Sequence, residues 1–156
     1  MSEKVYGIKI KNDQERLLSQ SGGAFYCMAK NFILKGGVVY GVALNEDIVA
    51  EYKRVDDLHE LQSLRGSKYV QAKIGKTFIN IKDDLINSRD VLFSGTPCCV
   101  KGLLLFLQNK HINTSRLVTC DNVCHGVPSP LIFSEYINYI SDNHSKEINN
   151  FKRKFH

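Results

Sequence analysis

Apolar residues recur along this chain in two rhythms, and the switch between them marks its elements. Residues 5–10 (VYGIKI) alternate apolar with small or charged positions, the period of an edge-like strand. Ser21-Gly22-Gly23 then opens a helix on which Phe25, Met28, Ala29, Phe32 and Ile33 recur at helical spacing until Gly36-Gly37 ends it. Residues 38–44 and 48–52 are β-rich runs separated by Asn45-Glu46-Asp47, so a two-stranded antiparallel ribbon is expected there. Residues 56–64 read as a short helix ending at Arg65-Gly66, and 68–71 as an extended segment. Residues 74–86 read as an amphipathic helix with Phe78, Ile81 and Leu85 on one face.

From residue 91 the pattern sharpens into β, α, β, α. Residues 91–93 are wholly apolar, 97–108 helical, 116–121 a second strand and 130–140 a closing helix. Short apolar strands alternating with helices predict an α/β fold, a small mainly parallel sheet flanked by helices, with a short antiparallel ribbon near the N-terminus. In such sheets ligands sit at the carboxyl ends of the strands.

Composition narrows the class. With 156 residues, 43% hydrophobic and 24% charged, the chain has the proportions of one globular domain. Roughly 68–70% of the surface can be buried at this size, so no disulfide framework is required. A single domain is expected over residues 1–145, followed by a basic, ragged tail over 146–156. The apolar stretch 103–107 is far shorter than the roughly 20 residues of a membrane-spanning helix. The first residues lack the apolar block of a signal peptide, so the expectation is a cytoplasmic protein without membrane insertion. A net charge of +5, from 21 Lys and Arg against 16 Asp and Glu, suits a small anionic ligand. No basic stripe with interleaved aromatics is present, which argues against a nucleic-acid partner.

The chemistry lies in the loops. Pro97 suits a first helical position, placing Cys98 at a helix N-terminus, where backbone N–H groups and the dipole favour thiolate over thiol. Cys98 and Cys99 also fit as small buried hydrophobes. The next strand leads into Thr119-Cys120-Asp121-Asn122-Val123-Cys124-His125-Gly126. If the two strands are neighbours, Cys98 and Cys124 lie close together at the carboxyl edge. Thiols gathered there would ligate an iron–sulfur centre or zinc, or cycle between dithiol and disulfide; the spacing leaves these open. His125 is a base, a ligand or an ordinary loop residue.

Ser21-Gly22-Gly23 before a helix has the make-up of a phosphate cradle, or of a permissive loop with Ser21 as the N-cap. In Leu64 through Gln71 (LRGSKYVQ), Arg65 and Lys68 suit a pyrophosphate and Tyr69 suits the flank of a ring system; a solvated turn has the same composition.

Four segments in order, SGGAF at 21–25, LRGSKYVQ at 64–71, FSGTPC at 93–98 and CHGVPSP at 124–130, resemble the coenzyme F-420 hydrogenase/dehydrogenase beta-subunit family. The resemblance covers nearly the whole chain. It implies an iron–sulfur flavoprotein in which FAD passes electrons between a cluster, a [4Fe-4S] centre, and a substrate, the deazaflavin coenzyme in archaeal members. It also implies a cofactor surface of Ser21, Gly22, Gly23, Arg65, Gly66, Ser67, Lys68, Tyr69, Gln71 and Thr96, with Cys98 and Cys124 as cluster or redox thiols. Cys99 stands where relatives often have glutamine, and Cys120 inherits no role. Longer members carry a ferredoxin-like CxxCxxCxxxCP run that is absent from this sequence. An electron-donor protein or ferredoxin-like domain supplied in trans is therefore expected. The alternative is a truncated, non-catalytic subunit acting through an interface in a larger redox complex.

Overall fold

The computed structural model describes residues 4–143. Helices α1 (Asp13–Leu17) and α2 (Ala24–Leu34) precede strand β1 (Val38–Leu44), which turns back into β2 (Ala50–Val55). A short 3₁₀ helix (Glu60–Leu64), α3 (Thr77–Ile86), β3 (Val91–Gly95), α4 (Pro97–Asn109), β4 (Leu117–Asp121) and α5 (Pro130–Asn143) follow. The sheet order is β2-β1-β3-β4; β1, β3 and β4 are parallel, and β2 pairs antiparallel with β1. This is the α/β architecture expected from the sequence, ribbon included.

Alternation along the strands feeds two cores. Val39, Val55 and Leu92 face α2, where Tyr26, Ala29 and Ile33 meet them. Val38, Tyr40, Val91 and Phe93 face α3 and α4, against Ile81, Leu85, Val100, Leu103 and Leu107. Every residue of β3 is buried, because a strand paired on both edges and covered on both faces has no wet side. Each such apolar side chain contributes about 1.5–3 kcal/mol of burial. Since α2 turns through Gly36-Gly37 straight into β1, and α4 starts directly after β3, both helices present their N-termini at the carboxyl edge of the sheet.

Several local expectations need correction. Residues 5–10 form no strand: a single backbone bond joins the Ile10 amide to the Gly22 carbonyl (2.8 Å), and Val5, Tyr6 and Ile8 are exposed. The outer edge of β2 is engaged instead by Lys73, whose backbone bonds to Ala50 (2.9 Å) and Tyr52 (3.2 Å). The helix expected over 56–64 shrinks to Glu60–Leu64, entered through a bond from the Glu60 amide to the Asp57 carboxylate (2.8 Å). The one expected from residue 74 begins at Thr77, because Gly75 adopts a left-handed φ of 52°. Helix α1 was unforeseen; Asn12 caps it by accepting from the Glu15 amide (3.0 Å). The tail expected over 146–156 lies outside the described residues. Among those described, no helix is long and apolar enough to cross a membrane.

One polar network fastens β1 and β2 to α3. The Tyr40 hydroxyl donates to Asp84 Oδ2 (2.6 Å), while Arg54 Nε and Nη2 donate to Oδ2 (2.8 Å) and Oδ1 (3.1 Å). Burial alone would raise the Asp84 pKa, yet the bonds from Arg54 and Tyr40 outweigh it and hold the carboxyl below its usual range. A depressed carboxyl stabilises the fold above its unfolded pKa and loses that contribution as pH falls through the folded value. Asp84→Asn should therefore cost about 1–3 kcal/mol near neutrality. Urea midpoints of the two proteins should converge as the pH drops into the acid range.

Candidate functional site

Two neighbouring parallel strands end level with each other, and each releases a thiol-bearing loop. Gly95, the last residue of β3, is in register with Asp121, the last of β4, and the Asn122 amide donates to the Gly95 carbonyl (3.0 Å). Cys98 and Cys124 follow these strand ends at equal offsets, 98 after 95 and 124 after 121. Neighbouring parallel strands are about 4.8 Å apart, so the loops start side by side. Helix α5 then steers the second loop, because its Phe133, Ile137 and Ile140 pack on Leu44, Ile48, Ala50 and Val70 at the hairpin end of β1 and β2. Residues 122–129 consequently run along the carboxyl edge of the sheet.

Cys98 is exposed in the first turn of α4, behind Pro97. Thr96 Oγ1 lies 3.1 Å from its sulfur, and this contact, reinforced by nearby backbone N–H groups, draws the thiol pKa below its ordinary value. Cys99 turns towards the core shared by α3 and α4 and meets the Tyr52 hydroxyl. Burial first, and then the thiols, push the Tyr52 pKa up. The Tyr52 ring stacks on Phe93 with centroids 5.2 Å apart, which carries its hydroxyl over Gly95. A Cβ at position 95 would stand 2.4 Å from that oxygen, so the close approach requires glycine. Cys120 is half-buried beside Ser94, and burial raises its pKa. All five cysteines are free thiols.

The other two motif segments meet on the α2 face. Gly23, with a left-handed φ of 79°, is the N-cap of α2 in place of the Ser21 expected there, and no side chain caps that helix. Exposed Ser21 leaves the cap empty because the tight turn falls at Gly23. Arg65 is only 8% exposed and lies flat on the Tyr26 ring, 3.3 Å from its centroid. Its guanidinium pairs with the Glu15 carboxylate and donates from Nη1 to the Glu15 carbonyl (3.0 Å) and Ser19 Oγ (3.5 Å). That pairing holds the Glu15 carboxyl below its usual pKa. Gly66, φ 76°, abuts Gln20, whose Oε1 accepts from the Ser67 amide (3.3 Å). Lys68 Nζ donates to the carbonyls of Arg65 (2.7 Å) and Ser63 (3.0 Å), and burial lowers its pKa to about 8. Tyr69 is 81% exposed, and Gln71, Cys124 and His125 are exposed.

The structure thus brings RGSK against Ser19 and Gln20, just ahead of SGG, and starts the Cys98 turn and the Cys124 loop from neighbouring strand ends. Glu15, Ser19, Gln20, Tyr26 and Tyr52 were missed by sequence reasoning. Only Tyr26 carried a signal, its place on the apolar face of α2. A cavity of about 590 Å³ opens at the opposite, amino edge, between Met28 and Phe32 of α2 and Val118 of β4. Of its charged residues Lys35, Asp90 and Arg116, the last two pair with each other at 3.0 Å, and none of the thiol loops reaches it. The carboxyl edge, with its uncommitted thiols and two helix N-termini, is the stronger candidate.

No family model and no curated protein matches the chain. Among the described residues, no three His, Cys, Asp or Glu side chains are grouped as metal ligands.

A thiol reacts as its thiolate, so Cys98 should alkylate with iodoacetamide faster at neutral pH than Cys27 or Cys124, which are exposed as well. Thr96→Val should slow that labelling and move the pH profile of its rate upward. An unchanged profile would remove Thr96 as the cause. Gly95→Ala should destabilise by about 1–3 kcal/mol through the clash with Tyr52. Adding Tyr52→Phe should recover part of that loss in urea unfolding.

Proposed function

We propose that this chain is a flavin-binding oxidoreductase module of the type its motifs resemble, passing electrons between a donor supplied by a partner protein and a small redox substrate. The observation that carries this reading is that RGSK docks, through Arg65 and Ser67, on Ser19 and Gln20, the two residues that lead into SGG and the N-terminus of α2 at the carboxyl edge of the sheet. A dinucleotide needs that combination: backbone N–H groups and cations for its pyrophosphate, and a flat face for its rings.

The residues divide the work. The uncapped first turn of α2 and the guanidinium of Arg65 are the groups for phosphate oxygens, with the Ser67 amide beside them. Exposed Tyr69 supplies a stacking face for a ring. Bound FAD would supply the hydride and single-electron chemistry that no side chain of the chain has. Thr96 and the Cys98 thiol, on the α4 side of the same edge, orient or hold protons at the substrate end. Five unpaired cysteines suit a reducing compartment such as the cytoplasm.

A second reading, a subunit that serves a larger redox complex through an interface, draws on α5. That helix packs Phe133, Ile137 and Ile140 half-buried against the domain but leaves Leu131, Ile132, Tyr136 and Tyr139 exposed, a second apolar stripe beside the first.

The purified chain should quench the fluorescence of added FAD. Tyr69→Ala should weaken that binding on the order of tenfold, with no change in unfolding midpoint because the ring is exposed. A chain that leaves FAD fluorescence untouched would overturn the flavin reading in favour of the interface one.

A further inference from the structure

The groups best suited to hold a phosphate are already occupied, and by the chain itself. Arg65 is more than nine-tenths buried, its Nε has no partner, and its terminal nitrogens face Glu15 and Ser19. Ser19 Oγ in turn stands 3.3 Å from where a Gly23 Cβ would be, so the guanidinium lies close to the uncapped start of α2. The open side of the glycine turn is filled as well. A Cβ on Gly22 would fall 2.3 Å from the Ile8 carbonyl oxygen, and one on Gly23 would fall 2.4 Å from the Ile10 side chain.

All of these blocking groups belong to one segment, residues 8–19. Its hold on the domain is light. Helix α1 buries none of its residues, Leu17 and Leu18 are exposed, and Ile10 alone packs against a core. Besides the Arg65 contacts, the Ile10–Gly22 backbone bond and a hydrogen bond between Glu15 and the Tyr26 hydroxyl tie it down.

We propose that residues 8–19 are an internal, exchangeable occupant of an anion site: the Glu15 carboxylate takes the Arg65 guanidinium, Ile8 and Ile10 cover the glycine turn, and a diphosphate-bearing ligand binds by displacing them. The ligand class rests on the flavin reading; the exchange itself rests on the contacts. A diphosphate returns to Arg65 the charge-assisted bonds that Glu15 gives up and adds those of the α2 amides. Carboxylate and ligand therefore compete for one cation.

Inorganic pyrophosphate is the probe, followed by calorimetry and by amide hydrogen exchange. In the unmodified chain, saturating pyrophosphate should accelerate exchange at the Ile10, Arg16 and Ser19 amides, which are bonded within or across this segment. Glu15→Gln should bind pyrophosphate on the order of tenfold more tightly. Asp13→Asn, which removes the same charge from α1 without touching Arg65, should stay within roughly twofold of the unmodified chain. Slowed or unchanged exchange, no binding, or equal tightening by Asp13→Asn would each overturn the proposal. The exchange measurement stands even if Glu15→Gln fails to fold. Pyrophosphate behaving as expected while FAD ignores both proteins would support the exchange and count against the flavin reading alone.

Discussion

Everything at the carboxyl edge hangs from the five residues of β3. Its neighbours on both sides are parallel strands, its Leu92 belongs to one core and its Val91 and Phe93 to the other. A strand held on four sides cannot slip by a residue without moving every side chain to the wrong core. The position of Gly95 is therefore fixed, and with it the point where Thr96 starts α4. The acidic thiol of Cys98 is a consequence of that register: it sits in a first turn because the strand ends where it does. Tyr52 reads the same constraint from β2, its ring on Phe93 and its hydroxyl filling the space that a Gly95 side chain would need.

The sheet also separates the two halves of the site. Helix α2, with the glycine turn and Arg65, covers one face, while α4, with Thr96 and Cys98, covers the other. A ligand using both has to lie across the strand ends, bridging β1 and β3. The loop from 122 to 129 follows the same line, since α5 docks at the far end of β1. The groups proposed for phosphate and the thiols are thus parted by one sheet thickness.

The fold was legible because it rests on periodicity. The β-rich run 38–44, the apolar run 91–93 and the helical spacing of Phe25, Ala29 and Ile33 each announce an element that has to be buried, and the structure buries them. Where the pattern lacked a partner it misled: alternation at 5–10 resembles a strand, but a strand needs an edge, and Lys73 holds that of β2. Helix α1 was invisible because none of its five residues is buried, so no apolar period announces it. The strand-end positions of Cys98 and Cys124 were likewise readable, being topology. What Arg65 touches was not, because a cation's partner is a tertiary fact that local sequence does not encode.

That last point has a physical reading. A guanidinium taken out of water cannot stand alone; breaking a buried pair by removing one partner typically costs about 3–5 kcal/mol. A domain that keeps Arg65 buried for an anionic ligand must neutralise it when the ligand is away. The substitute has to be a carboxylate, it has to reach the same nitrogens, and it has to leave at low cost. Glu15 meets the first two conditions by its contacts and the third by its position, on a helix with no buried residue. Placed on α3, where Asp84 serves Arg54, the same carboxylate would be locked by its own core and the cation would be structural only. The two arginines differ in this, one paired from a packed helix and one from an unburied helix, and the proposed exchange at Arg65 rests on that difference.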